Sequence, residues 1–504
     1  NQALALMVLK DRAGNSFLLF LSIMKKINDI LIGKEPIKGT SVLPVVNPFT
    51  GEPFAEVCLA ESVEIDKAIN LAEEAFKKTR VLPSYQRSRL CAEVASGIQD
   101  RSEEFAKIIV QESGKPLIYA RTEVARSVST FEIASQEALR LDGEMLTLDI
   151  TESAHGKAGL TRRFPIGPIA GISPFNFPLN LVAHKVAPAL ACGNPIIIKP
   201  ASSTPLTALL LGEIVQNTQA IKGSLSVLPC SNKNATPLVE DPRLKMITFT
   251  GSPNVGWDIK KRAGRKKVVL ELGGNAGVIV EPDAEIDLAA KKIAFGAFVY
   301  SGQVCISVQR VFVHASKHDD FLNSLINETQ AFRSGDPLDE KVTMGPMIDL
   351  ESAERIESWV NEAVAEGAKI QTGGKRVKNY YPPTILTNVN PNLPVACREA
   401  FGPILIVNTY TNFNNAIKAV NNTDFGLQAG VFTNNMNKAL GAFNQLDVGG
   451  VVINDIPTFR VDNMPYGGVK DSGFGREGIK YSLREMTEIK LLVYNHLMEN
   501  KGSL

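Results

Sequence analysis

Between residues 62 and 138 apolar side chains recur at helical spacing, as in Ile65, Ala68, Ile69, Ala72 and Ala75, and again in Phe105, Ile108 and Ile109. Three long amphipathic helices resting on a core are predicted there. After Gly167 short apolar runs alternate with helical ones: 169–172, 181–191, 196–198, 206–215, 225–228 and 246–249. Strands alternating with helices imply a parallel sheet in a doubly wound α/β unit. A second series follows, with strands at 268–270 and 278–280, a helix over 289–298, and strands at 310–313, 404–407 and 451–454. It predicts a second α/β domain, and the pair Gly273-Gly274 marks the boundary.

Bulk properties agree with a globular chain of more than one domain. The 504 residues are 44% hydrophobic, enough for a core in each unit. Fifty-four basic and 53 acidic side chains leave a formal charge of +1, so no whole-chain field draws the protein to nucleic acid or an anionic membrane. A small molecule is the expected partner. The six cysteines lack CxxC pairs and the five histidines lack HExxH spacing, which argues against a disulfide framework and a metal site. Reduced thiols in the cytoplasm are the expectation. An apolar run at 17–24, preceded by Lys10 and Arg12, is shorter than the roughly 20 residues of a spanning helix. With Met24-Lys25-Lys26 resembling an ordinary start, residues 1–23 are set apart as an N-terminal extension outside the fold.

Gly473-Phe474-Gly475-Arg476-Glu477-Gly478 fits GxGxxG, but it follows a polar turn rather than a strand, so it is not assigned as a phosphate loop. Cys305 is the more informative residue. It sits between the polar turn Ser301-Gly302-Gln303 and a helix-like Ile306-Ser307-Val308, where a helix N-terminus could lower a thiol pKa. A buried core cysteine is the alternative, and it suits Cys192 or Cys58 better.

Four stretches carry a resemblance: Pro174-Phe175-Asn176-Phe177-Pro178, Lys199-Pro200-Ala201-Ser202, Glu271-Leu272-Gly273-Gly274-Asn275 and Gly302-Gln303-Val304-Cys305. Together with Phe249-Thr250-Gly251-Ser252, Glu399-Ala400-Phe401-Gly402-Pro403 and Pro465-Tyr466-Gly467-Gly468-Val469-Lys470, in this order, they resemble the aldehyde dehydrogenase superfamily from about Asn47 onward. The branch of lactaldehyde and glycolaldehyde dehydrogenases is the most similar. The resemblance implies an α/β aldehyde dehydrogenase fold: a Rossmann-like cofactor domain over 24–143 and 164–273, a catalytic α/β domain over 274–478, and a β-ribbon oligomerisation element from 144–163 and 479–504. A homodimer or homotetramer is expected.

The same resemblance assigns roles. An aldehyde carbon becomes a good hydride donor only after a nucleophile adds to it, and Cys305 is that nucleophile. Asn176, with the backbone N–H of Cys305, would stabilise the oxyanion; alternatively it caps the following helix. Glu271, ending an apolar strand, would have a raised pKa and activate water for thioester hydrolysis; a solvated strand end is the other reading. For the cofactor, Ser173, Pro174, Phe175, Lys199, Ser202, Gly251, Ser252, Val255, Leu272, Glu399 and Phe401 are candidates. Gly251 and Ser252 precede a helix starting about Asn254 and could face a pyrophosphate. Ser202 stands where NAD-specific relatives place a glutamate, so NADP is preferred, with NAD the alternative.

Arg126, Arg460 and Val304 are the substrate candidates. Two arginines suit an anionic or polyhydroxylated aldehyde, unless Arg126 pairs with Glu123 or Thr122 and Arg460 with Asp462. Val304 replaces an arginine of relatives oxidising glyceraldehyde 3-phosphate and argues against a phosphorylated substrate. A short polar aldehyde, lactaldehyde-like, glycolaldehyde-like or a semialdehyde, is expected. A coenzyme A-acylating enzyme and a non-catalytic scaffold are the competing readings; Glu271 opposes the first and the intact Cys305, Glu271 and Asn176 oppose the second.

Overall fold

The structure is a computed structural model that describes residues 27–495. The extension 1–23, and the last part of the 479–504 element, lie outside the described residues. Four helices, Ser62–Thr79, Ser84–Asp100, Ser102–Ser113 and Leu117–Ala138, occupy the region where three were predicted. Gly114 ends the third with φ +68, a left-handed stop that periodicity alone does not reveal.

Five parallel strands form the centre of an eight-stranded sheet, in the spatial order Lys267–Glu271, Met246–Thr250, Ile169–Ile172, Ile196–Lys199, Leu225–Val227. Helices Asn180–Cys192, Leu206–Gln216 and Pro253–Arg262 lie among the connections. The chain winds outward from Ile169–Ile172 in one direction, then returns to its other side with Met246–Thr250. This reversal is a topological switch point, where the carboxyl ends of neighbouring strands diverge and leave a crevice. Ser173 to Asn176 follow one of those two strands, and Gly251-Ser252 follow the other.

The run at 268–270, assigned above to the second series, belongs to this first sheet: Lys267–Glu271 pairs with Met246–Thr250 from Met246↔Lys267 to Thr250↔Glu271. Alternation identifies a strand but not its neighbour, and the strand's outer edge is closed by only two residues, Gly473–Phe474, running antiparallel. The glycine-rich segment dismissed as a phosphate loop is therefore a sheet edge beside Glu271.

A seven-stranded sheet forms the second unit, ordered Lys369–Thr372, Thr384–Thr387, Ile404–Tyr410, Val308–His314, Ala276–Val280, Gln428–Phe432, Gly450–Ile453, all parallel except the first pair. Its central strands are buried on both faces, which explains their continuous Val, Ile and Leu runs. A separate three-stranded sheet joins Met145–Thr147, Lys157–Pro165 and Thr487–Asn495. Ile489, Leu491, Leu492, Val493 and Tyr494 stand exposed on it. No helix among the described residues is long and apolar enough to cross a membrane.

Candidate active site

A cavity of about 1100 Å³ brings together the carboxyl ends of the switch-point strands and loops of the second unit. Its walls include Pro174, Phe175, Asn176, Gly251, Ser252, Glu271, Leu272, Val304, Cys305, Glu399, Phe401, Arg126 and Arg460, thirteen of the residues singled out from the sequence. Ser173, Lys199, Ser202 and Val255 do not line it. Lys199 is buried beside Ile172 in the sheet, and Ser173 N–H donates to the Lys199 carbonyl at 3.1 Å. Ser202 is exposed and Val255 is 49% exposed on the first turn of its helix.

Cys305 reaches the cavity on a loop shaped by three consecutive left-handed residues, Tyr300 (φ 51), Ser301 (φ 54) and Gly302 (φ 68). Such φ values are costly for side-chain-bearing residues and persist only when surroundings enforce them. Here Tyr300 Oη donates to the Ser113 carbonyl at 3.1 Å, Ser301 Oγ donates to the Gly345 carbonyl at 2.6 Å, and Gln303 Oε1 accepts the Ile348 N–H at 2.9 Å. A Cβ on Gly302 would lie 2.2 Å from the Gly402 carbonyl oxygen, so the turn tolerates no side chain.

The helix predicted after Cys305 is absent. Ser307 N–H closes a turn onto Val304, and Val308 opens a strand. The short helix-like stretch cannot outweigh the strand-favouring Val308, Val311, Phe312 and Val313. Burial accordingly pushes the Cys305 thiol up to about 11, opposed by the Tyr466 hydroxyl, which lies 3.1 Å from Sγ. Tyr466 was visible in the sequence only as one letter of its motif.

Asn176 is buried in the cavity lining, and its Nδ2 donates to the Gln303 carbonyl at 2.9 Å. The amide is thus anchored to the backbone two residues before Cys305, rather than capping the next helix. That cap is supplied by Glu123, whose Oε1 accepts the N–H groups of Leu179 and Asn180 at 2.9 and 3.1 Å.

Glu271 is not a solvated strand end. It is 3% exposed, and neither carboxylate oxygen has a hydrogen-bond partner among the described residues. Burial, and next the negative charge of Glu477, hold its pKa well above the ordinary range. Glu399 Oε1 accepts the Gly274 N–H at 2.9 Å, and burial raises that carboxyl to about 7. Phe401, at φ 46, meets Phe175 edge-on with centroids 5.8 Å apart. Ser252 occupies the N-cap of Pro253–Arg262, one residue earlier than predicted, and its side chain makes no cap hydrogen bond.

Both arginines are paired, but not as their sequence neighbours suggested. Arg126 Nη2 donates to Asp462 Oδ1 at 2.7 Å, and Arg460 Nη2 to Glu477 Oε2 at 3.2 Å. His184 Nε2 also lies 2.8 Å from Asp462 Oδ1.

Comparison with known proteins accords with this geometry. The aldehyde dehydrogenase family profile matches residues 36–492, and the chain belongs to that family. It is 44% identical over 454 residues to the 3-sulfolactaldehyde dehydrogenase of Priestia aryabhattai, covering 90% of this chain and 95% of that one. Among solved structures it is similar to aldehyde dehydrogenase 21 of Physcomitrella patens in complex with the reaction product succinate (TM-score 0.92, 43% identity, 94% and 99% of the two chains). It is also similar to a glyceraldehyde-3-phosphate dehydrogenase of Methanocaldococcus jannaschii complexed with NADP (TM-score 0.87, 39% identity, 90% and 99%).

Proposed function

We propose that this enzyme oxidises a short polar aldehyde to its carboxylic acid with NADP, or alternatively NAD, through a thioester on Cys305. The observation that carries the reading is that Cys305 and the buried, unpartnered carboxyl group of Glu271 face one cavity at a switch-point crevice. That crevice suits an elongated phosphate-bearing nucleotide. The start of Pro253–Arg262 offers backbone N–H groups and the uncommitted Ser252 hydroxyl, and Gly273 lets backbone approach where a Cβ would meet Glu399 Oε2 at 2.4 Å.

Cys305 thiolate adds to the carbonyl carbon, and the carbonyl π electrons move to oxygen. One Asn176 amide N–H is held by Gln303; the second, with the Cys305 backbone N–H, is offered to the oxyanion, an interaction worth about 3 to 4 kcal/mol in comparable sites. A bound nicotinamide supplies the hydride acceptor. Glu271, once deprotonated, takes a proton from water as its oxygen attacks the thioester, and the acid leaves as sulfur recovers its electron pair. Glu399 and Phe401 bound the nicotinamide side. Lys199 and exposed Ser202, outside the main cavity, lie at the adenosine end, where the lack of a carboxylate at 202 favours a 2′-phosphate; Ser173, Val255 and Leu272 complete the groove.

Arg126 and Arg460 line the aldehyde end. Paired with carboxylates, they leave the Nε of each without a hydrogen-bond partner among the described residues. An anionic or hydroxylated substituent on the aldehyde fits these donors. Val304 supports a substrate without phosphate, whereas similarity to the M. jannaschii enzyme makes glyceraldehyde 3-phosphate a necessary comparison. The cofactor unit (24–143 with 164–273), catalytic unit (274–478) and ribbon (144–163 with 479–504) are proposed divisions, and the exposed apolar ribbon supports a homodimer or homotetramer. Glu271 favours hydrolysis over transfer to coenzyme A.

The test is a panel of lactaldehyde, glycolaldehyde, succinate semialdehyde, glyceraldehyde 3-phosphate and a long-chain aldehyde with each cofactor, using wild type and Cys305→Ala. Loss of oxidation in the variant and preference for a short polar aldehyde are expected. Full turnover by Cys305→Ala overturns the mechanism, and preference for the long-chain aldehyde overturns the substrate class.

A further inference from the structure

We infer that the Tyr466 hydroxyl is a catalytic donor to Cys305 Sγ, holding the thiolate ready for addition and releasing it once the sulfur is acylated. The inference rests on the reading of Cys305 as nucleophile. Its geometric basis is the 3.1 Å contact between Tyr466 Oη and Sγ inside the cavity, with Tyr466 itself 3% exposed. The ring is fixed from one face by Arg460, whose guanidinium carbon lies 3.7 Å from its centroid. A cation over the ring draws electron density from it, which strengthens the phenol as a donor.

The need for such a donor follows from the loop. A strand, not a helix, follows Cys305, so its own segment offers no helix N-terminus to a negative sulfur, and burial favours the neutral thiol. A hydrogen bond to the charged form offsets that penalty. Tyr466 suits donation and not proton abstraction, because burial and then the neighbouring Cys305 raise its pKa well above the ordinary value. On ionisation the thiol proton passes to water while the phenol keeps its own. An acylated sulfur carries no negative charge and is a weak acceptor, so the hydroxyl stabilises the thiolate and not the thioester.

Tyr466→Phe preserves the ring and its stacking on Arg460 while deleting the hydroxyl. Alkylation of Cys305 by iodoacetamide forms an S–C bond and expels iodide without aldehyde or cofactor, and mass spectrometry of the Cys305 peptide follows it. Losing a charge-assisted hydrogen bond is expected to displace thiolate formation, read by ultraviolet absorbance against a Cys305→Ala background, upward by about 1 to 2 pH units. Higher intrinsic nucleophilicity offsets part of this, leaving a roughly three- to tenfold slower alkylation at fixed pH. The burst of acylation slows similarly, and hydrolysis of the preformed thioester, in which the sulfur departs as thiolate, slows by no more than the burst. A purely packing role would leave the thiolate titration and the alkylation rate unmoved, and that result overturns the inference. Failure of Cys305→Ala to abolish turnover would instead overturn the nucleophile itself.

Discussion

Lys185 Nζ lies 3.1 Å from Glu477 Oε1 with both side chains buried, and the other Glu477 oxygen accepts from Arg460. Two cations hold Glu477 ionised, at about 2 against an ordinary 4.5, and its charge in turn opposes ionisation of Glu271. Because the folded pKa is depressed, this pair's stabilisation is fully present above about pH 4.5 and is lost as pH falls toward 2. Glu477→Gln at neutral pH is expected to lose roughly 3–5 kcal/mol in urea denaturation, since it strands buried cations. In the folded fraction the acid limb of thioester hydrolysis should move to lower pH, because the like charge raising Glu271 is gone. An unmoved limb would mean that Glu477 does not set the base.

Glu271 must lose a proton to act, so hydrolysis should rise with pH through a midpoint well above the ordinary carboxyl range. Glu271→Gln is expected to give one burst of reduced cofactor and then turn over about 10²–10⁴-fold more slowly. Rapid-mixing absorbance, with mass detection of the acyl enzyme, checks this. A variant lacking the burst would place Glu271 in acylation instead.

The Arg126 pairing with Asp462 leaves its side chain 27% exposed at the cavity. Arg126→Met should raise KM for a carboxylated or sulfonated aldehyde about 10- to 100-fold, the worth of a hydrogen bond to a charged group, and change KM for a neutral aldehyde far less. Equal effects on both would assign Arg126 a purely structural role through Asp462.

Ser202→Glu tests the proposed place of residue 202 at the 2′-phosphate by putting a carboxylate there. The ratio of kcat/KM for NADP over NAD should fall by at least about tenfold, corresponding to roughly 1.4 kcal/mol of repulsion and lost contact. Steady-state assays with both cofactors measure it, and an unchanged ratio would remove residue 202 from the cofactor groove.

Gly302→Ala tests the loop. Its φ is +68, and the new Cβ would collide with the Gly402 carbonyl. Activity should fall at least as steeply as stability, measured by paired kinetics and thermal melting, because Cys305 stands three residues away.

Much of this architecture was legible because it rests on periodic burial. The alternation after Gly167 marked the five parallel strands of the first sheet and four strands of the second, though not Lys369–Thr372, Thr384–Thr387 or Gln428–Phe432, and turn chemistry at Gly251-Ser252 located a helix start. What the pattern could not carry was pairing across long separations. Lys267–Glu271 reads as a strand whichever sheet accepts it, and the two-residue partner Gly473–Phe474 has no periodicity to detect. Local charge logic paired Arg460 with Asp462, two positions away, whereas packing assigned it Glu477. Cys305, Asn176 and Glu271 were recognisable through their motifs. The Tyr466 contact was not, since 161 positions separate it from Cys305.

The short edge strand beside Glu271 also has a consequence for synthesis. Glu271 and Cys305 emerge from the ribosome well before Arg460, Tyr466, Gly473–Phe474 and Glu477, which wall and tune their site. At roughly 5–20 residues per second this interval lasts on the order of ten seconds or more. During it, Cys305 lacks its hydroxyl partner and Glu271 lacks its charged neighbour, so the site proposed for catalysis stays incomplete until Gly473–Phe474 closes the sheet edge.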